Sequence, residues 1–130
     1  MKSEIEVKFS YSDFAMSIED LSAELMTKPT HSWRKGDLGK LSNKPMKNNY
    51  WALSSGLDKS EKIDKHVETL LGKIRPNKRH FVRVGNRFHP VLSCVVYSYG
   101  GDRPCLGFSR TVIKELAELG ADIDIDLYAI

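Results

Sequence analysis

The sequence predicts an α+β domain in which helices pack on one face of an antiparallel or mixed β-sheet. Alternating apolar and polar residues indicate a strand near each end of the chain, and apolar residues at helical spacing follow two serines that can cap helices. The predicted order is β, α, β, β, α, then a β-hairpin, α and β, and its first part is ferredoxin-like. All 130 residues fit one domain with an ordinary hydrophobic core.

The first strand and the first helix are predicted from residues 5–29. A period of two indicates a half-buried strand whose apolar positions are Ile5, Val7, Phe9 and Tyr11. Ser17 and Asp20 have the spacing of a capping box, so a short helix should start there and run to about Met26. Pro29 ends it.

Two aromatic-containing stretches, residues 31–36 and 49–54, predict the paired strands of a wide hairpin. The connection between them, roughly residues 37–48, is longer than most hairpin loops. It carries Lys40, Lys44 and Lys47, so we expect it to be exposed and suited to a functional contact.

The second helix has the strongest helical pattern in the chain. Asp58 or Ser60 is expected to cap it, and its apolar stripe is Ile63, Val67, Leu70, Leu71 and Ile74. Pro76 interrupts the pattern. Residues 79–88 match neither period cleanly, and we favour a further helical segment over a strand there.

A second hairpin is predicted between residues 91 and 108. Residues 91–99 are rich in β-branched and aromatic side chains, residues 100–102 supply turn chemistry, and residues 105–108 can return as the partner strand. In this register Cys105 faces Ser98 rather than Cys94. The two cysteines would then be about 13 Å apart, so we predict two free thiols.

The last helix and strand are predicted from residues 109–128. Ser109 is the expected cap of a helix that ends at the left-handed residue Gly120. In the final strand, Ile123, Ile125 and Leu127 alternate with three aspartates, which gives one apolar and one acidic face. Such a strand should be half exposed or lie at a sheet edge, where it could pair between subunits.

The composition predicts a soluble globular protein, and we expect it to be cytoplasmic. No signal peptide or membrane span is recognisable, and two cysteines are compatible with reduced thiols. The net charge of +3 is unevenly distributed, because residues 1–24 hold six acids against two bases and residues 115–130 hold five acids and no base. If the fold brings these ends together, the surface will have faces of opposite sign, which steer the approach of partners.

Three motifs resemble a widespread bacterial family of small proteins. They are PTHSWRKGD, then WALSSG after the long loop, and ELGADIDIDLY near the end of the chain. The family is catalogued as a domain of unknown function, and the resemblance covers nearly the whole chain. It implies a small α+β domain with no established activity and no known catalytic residues. Some small bacterial proteins of similar families look like immunity proteins, which bind and block a toxin secreted by competing cells.

The first of these motifs contains one group of candidate binding residues. An indole platform, a guanidinium that can pair with carboxylate or phosphate, and an acid to orient it could form a binding corner from Trp33, Arg34, Lys35 and Asp37, with Lys40 beyond them. The alternative is that Trp33 packs in the core and the charged residues lie on the sheet surface. Arg34 could also pair with an acid of the last strand and only stabilise the fold.

The second group of candidates is the row Asp122, Asp124 and Asp126. Successive carboxylates on one strand face lie about 7 Å apart. They could engage a basic partner, bind a hard cation or remain solvated. A flat row diverges rather than converges on an ion, so we predict no metal site. The histidines lack metal-ligand spacing, residues 54–56 lack the frame of a nucleophile elbow, and no cofactor loop is present.

These observations predict a non-enzymatic protein whose partner is another protein. The first hypothesis is a cytoplasmic immunity-type protein that neutralises a toxin through a charged surface. The alternative is a regulatory module that binds a small anion or a nucleic acid through the basic residues 34–47.

Overall fold

In a computed structural model, residues 3–39, 41 and 43–130 are described, and the five strands form one mixed sheet. The elements are β1 (Glu4–Ser12), α1 (Ile18–Leu25), β2 (His31–Trp33), β3 (Tyr50–Ser54), α2 (Ile63–Ile74), a 3₁₀ turn (Arg75–Asn77), α3 (Lys78–Gly85), β4 (Val91–Ser98), α4 (Arg110–Glu118) and β5 (Asp122–Ala129). Lys40, one of the candidate binding residues, lies outside the described residues.

The sheet has the strand order β2-β3-β1-β4-β5. Neighbouring strands are antiparallel except for β4 and β5, which are parallel and are connected through α4. This architecture confirms the predicted α+β class with a mixed sheet. None of the helices in the described part of the chain is long and apolar enough to cross a membrane.

The hydrophobic core lies on one face of the sheet. Alternate residues of β1 and β4 point into it together with the apolar stripes of the helices, because side chains alternate between the two faces of a strand. The large side chains that are fully buried include Trp51, Tyr11, Phe9 and Phe81. The other face, which we call the open face, carries half-exposed residues such as Glu4, Glu6 and Lys8.

Local capping signals position two helices as predicted. The Ser17 hydroxyl accepts a hydrogen bond from the Asp20 amide at 3.0 Å, and the Ser109 hydroxyl accepts one from the Val112 amide at 3.2 Å. Helix α1 ends at Met26 in the left-handed conformation, with a φ of 51°. The helical interpretation of the segment after Pro76 is also confirmed, since residues 78–85 form α3.

The predicted cap of α2 is wrong. Lys62 occupies the cap position, and its side chain makes no capping hydrogen bond. Asp58 instead accepts hydrogen bonds from the amide and the hydroxyl of Ser60, at 2.9 and 2.7 Å. Both predicted capping residues are therefore engaged in a local turn before the helix begins. Short polar side chains such as these can hydrogen-bond to nearby backbone groups instead of capping a helix.

The predicted second hairpin is also wrong. Strand β4 pairs with β1 and β5, and residues 103–109 have no regular secondary structure. The glycine-rich turn therefore leads into the crossover through α4, because β5 occupies the position beside β4. The register with Cys105 facing Ser98 is lost, but both thiols are free, as predicted. Burial raises the pKa of Cys94 to about 12, whereas Cys105 is exposed.

Candidate functional site

The fold brings the two acidic ends of the chain onto the open face. Strands β1 and β5 flank β4, and the register aligns Glu6 of β1 with Asp126 of β5 through Val95 of β4. Two strand spacings separate these carboxylates by about 10 Å. The open face therefore gains acidic groups from sequence segments that are more than 100 residues apart.

The row formed by Asp122, Asp124 and Asp126, which we call the acidic row, lies on β5 at the edge of the sheet. All eight residues of β5 are exposed. Among the described residues, the three carboxylates have no ion-pair or hydrogen-bond partner. The row is therefore presented to solvent with its charge uncompensated by a direct contact.

The opposite face of β5 is apolar but incompletely covered. The register places Ile123, Ile125 and Leu127 beside the buried residues of β4. Nevertheless, 39% of Ile123, 39% of Ile125 and 57% of Leu127 remain exposed. The apolar face of β5 thus extends the hydrophobic core, and part of this face is exposed to water.

The tryptophan of the predicted binding corner does not lie in the core. Trp33 is half-buried on the open face and stacks on Tyr50, with ring centroids 4.0 Å apart and an interplanar angle of 13°. The alternative in which Trp33 packs in the core is therefore wrong. Trp51 occupies the core instead, because alternate residues of β3 point to opposite faces.

The charged residues of the corner mostly organise its backbone. The Arg34 guanidinium pairs with Glu19 of α1, and this hydrogen bond lowers the pKa of the Glu19 carboxyl. Arg34 is therefore paired with the first helix, not with an acid of the last strand. The Asp37 carboxylate accepts a hydrogen bond from the Arg34 amide at 2.8 Å, and the Lys35 amide donates to the Asn49 side chain at 2.7 Å. The Lys35 side chain is exposed.

A cleft lies between β2 and the loop after it. The loop is held by a bridge between Leu38 and Pro45 and by a 2.9 Å hydrogen bond from the Gly36 amide to the Met46 carbonyl. The cleft has a volume of about 660 Å³ and is lined by Thr30, His31, Ser32, Trp33, Asp37, Leu38, Gly39 and Met46. Trp33 and Asp37 are thus brought together at one site, as the motif suggested.

The corner and the acidic row form two separate sites. Strand β2 is at one edge of the sheet and β5 is at the other, four strand spacings away. At about 4.8 Å per spacing the two edges are roughly 19 Å apart. A small ligand cannot contact both groups of candidate residues.

A buried serine–histidine pair was not predicted. The Ser55 hydroxyl and His66 Nδ1 share a 2.6 Å hydrogen bond beside a cavity of about 180 Å³. His66 Nε2 is buried without a partner among the described residues, and so it lacks the carboxylate that orients the histidine of a catalytic triad. The available sequence signal was the place of His66 on the apolar stripe of α2, three residues after Ile63 and four before Leu70.

Burial makes His66 a source of pH-dependent stability. Desolvation lowers its pKa below the ordinary value of 6.5, although nearby carboxylates and carbonyls oppose the shift. Below about pH 6.5 the unfolded chain takes up this proton before the folded chain does, so the free energy of unfolding should fall as the pH decreases.

We expect His66→Gln to reduce this slope by up to about 1.4 kcal/mol per pH unit. Urea unfolding at several pH values between about 7 and 5 measures it, with His31→Gln, an exposed histidine, as the control. If wild type and His66→Gln show the same slope, the histidine does not carry the effect.

Comparison with protein-family models identifies the chain. The model of a domain of unknown function, DUF4279, matches residues 3–130. The chain belongs to this family. The predicted membership of a family catalogued as a domain of unknown function is therefore confirmed. Searches of curated proteins and of solved structures found no match.

Membership of this family assigns no activity and no site residue. In the part of the chain that the structure describes, no three His, Cys, Asp or Glu side chains are grouped to hold a metal ion. The two candidate surfaces are the acidic edge at β5 and the cleft at β2.

Proposed function

We propose that this protein is a non-enzymatic, cytoplasmic binding protein of the immunity type, which neutralises a bacterial toxin by binding a basic surface of it. The observation that carries the proposal is the acidic row on the exposed edge strand β5. Three carboxylates without direct partners among the described residues favour a cationic protein surface.

The charged residues around the acidic row also favour a basic partner. Glu4 and Glu6 of β1 extend the acidic region across the open face. Two bases lie among these acids, because Lys59 forms an ion pair with Glu6 at 3.3 Å and Lys8 is aligned with Asp124 through β4. A surface region with an excess of one sign accelerates the encounter with a partner of the opposite sign. This suits an inhibitor that must reach a toxin before the toxin reaches its target.

The exposure of the site supports a protein partner over a small molecule. The acidic row is displayed on an exposed edge strand, whereas small-molecule sites are concave and mostly apolar. The serine–histidine pair is buried, so it is poorly placed to contact a macromolecule. The side chains that are accessible to a protein partner are thus those of the acidic row, not those of the serine–histidine pair.

The second candidate is a regulatory module that binds an anion or a nucleic acid at the basic corner. It is favoured by the cleft beside Trp33 and by the exposed side chains of Lys35 and Lys47. It is weakened by Arg34, whose guanidinium is already paired with Glu19. Phosphate contacts at this corner would weaken steeply with salt, which a filter-binding titration detects.

The proposal predicts that a toxin domain is encoded beside the gene for this protein, and it is tested by capture of that domain and by growth of cells that express it. Wild type should bind the domain and restore growth, and the triple variant Asp122→Asn, Asp124→Asn, Asp126→Asn should do both less well. The matched control is Lys35→Gln, Lys47→Gln, which should behave as wild type. Failure of wild type to bind or protect would contradict the proposal, whereas loss of function only in the lysine variant would favour the second candidate.

A further inference from the structure

The backbone of β5 has one free edge with a defined set of hydrogen-bonding groups. The Asp122 amide donates to the Pro90 carbonyl at 3.0 Å, and the Ile130 amide donates to the Ser98 carbonyl at 2.8 Å. In a parallel ladder every second residue bonds to the same neighbour. The aspartates therefore direct their backbone groups to β4, and Ile123, Ile125 and Leu127 direct theirs away from the sheet.

The free edge also has two chemically different faces. The residues with outward backbone groups have apolar side chains on the helix-covered side, where they are partly exposed. The residues between them form the acidic row on the open face. A strand added at this edge would meet apolar side chains on one face and carboxylates on the other.

A second copy of this chain is a poor occupant of the edge. Antiparallel pairing of two β5 strands about Ile125 places Asp124 of one copy opposite Asp126 of the other. Like charges directly opposite each other destabilise a strand pair. The acidic row thus protects this edge against self-pairing, as charged residues do on other edge strands.

We propose that β5 accepts an extended segment of a protein partner, about eight residues long, in which basic and apolar residues alternate. The segment would add a sixth strand to the sheet, with its lysines or arginines facing the acidic row and its apolar residues beside Ile123, Ile125 and Leu127. The inference rests on the proposed function, because it specifies how the acidic edge binds its basic partner. Strand addition of this kind takes affinity from backbone bonds and specificity from alternate side chains.

The opposite edge of the sheet is less suited to the same role. Strand β2 has three residues, whereas β5 has eight. The loop that begins after β2 also lies beside it and forms the cleft described above. Among the described strands, β5 therefore offers the longer free edge.

The test uses a synthetic peptide of alternating lysine and valine with blocked ends. A scrambled peptide of the same composition controls for charge. Two further peptides carry N-methyl groups on all valines or on all lysines, which removes the amide donors of one edge at a time. Strand addition requires one N-methylated peptide to lose binding and the other to retain it. Loss with methylated valines indicates an antiparallel strand and loss with methylated lysines a parallel one.

Amide hydrogen exchange provides the second readout. The alternating peptide should slow exchange of the Ile123, Ile125 and Leu127 amides, whereas the aspartate amides between them are already bonded to β4. We expect the alternating peptide to bind at least tenfold more tightly than the scrambled peptide. It should bind the triple asparagine variant about tenfold more weakly than it binds wild type.

The outcomes separate this inference from the proposed function. Equal binding of the alternating and scrambled peptides, equal effects of the two methylation patterns, unchanged exchange at the three amides, or no binding at all would overturn strand addition. If those results occur while toxin capture still depends on the acidic row, the proposed function stands without this mode of binding. If capture is insensitive to the acidic row, the proposed function fails as well.

Discussion

Trp51→Ala is expected to lower the free energy of unfolding by about 3–5 kcal/mol, which is the usual cost of truncating a large aromatic side chain in a core. Trp51 is fully buried, and its ring centroid lies 5.7 Å from that of Tyr11 and 6.1 Å from that of Phe81. Its indole N–H also donates a 3.0 Å hydrogen bond to the Ser22 hydroxyl, which itself donates to the Ile18 carbonyl at 2.8 Å. The substitution therefore leaves a cavity and removes one of the two hydrogen bonds of that hydroxyl. Urea unfolding measures the loss.

Trp33→Ala is the matched control for this substitution. Trp33 is half-buried and stacks on Tyr50, so its removal should cost about 1 kcal/mol. The contrast tests the assignment of one tryptophan to the core and the other to the open face. If both variants lose similar stability, that assignment is wrong.

Gly85→Ala is expected to destabilise the fold by about 2–3 kcal/mol through overpacking. A Cβ atom at this position would lie 2.2 Å from the Leu119 carbonyl oxygen, so the backbone of α3 or of the end of α4 must move. The approach is reciprocal, because a Cβ on Gly120 would lie 3.0 Å from the Gly85 carbonyl oxygen. Thermal or urea unfolding provides the measurement.

Gly72→Ala controls for helix propensity in this experiment. Gly72 lies in α2 and is exposed, and within the described residues no atom of a neighbouring element lies within 4 Å of the place that a Cβ would occupy. Alanine there should stabilise the protein by about 0.5–1 kcal/mol. Similar behaviour of the two alanine variants would show that α3 and the end of α4 do not pack as closely as described.

Local patterns predicted most of the secondary structure because each element has its own signal. The alternation in β1, the stripe of α2 and the serine caps of α1 and α4 are all set by neighbours within a few residues. Strand pairing depends on residues that are distant in sequence. Residues 100–102 have good turn chemistry, and nothing local reveals that β4 pairs with a strand beginning at Asp122.

The sequence predicts which residues form each candidate group, but it does not predict where the two groups lie relative to each other in the fold. The acidic row follows from strand alternation and is found on one face of β5. The separation of the row from Arg34 by the full width of the sheet depends on strand order, which periodicity does not specify. The contact between Ser55 and His66 joins the end of β3 to α2, so it becomes visible only once those elements are packed.

The same strand order determines where the acidic residues lie on the surface. Residues near the two ends of the chain are acidic, and β1 and β5 place them on one face of the sheet with β4 between them. The apolar side of β5 remains partly exposed, so the edge combines negative charge with exposed hydrophobic surface. Such an edge is suited to a partner that complements both.

We propose that the acidic row contacts a basic protein partner. Calorimetric titration of the toxin domain that the proposal predicts beside the gene, with wild type and with the triple asparagine variant, tests it most directly. At low salt the variant should bind about tenfold more weakly, since three exposed ion pairs together contribute about 1–2 kcal/mol, and the difference should shrink at high salt. Equal dissociation constants for the two chains at low salt would contradict the claim.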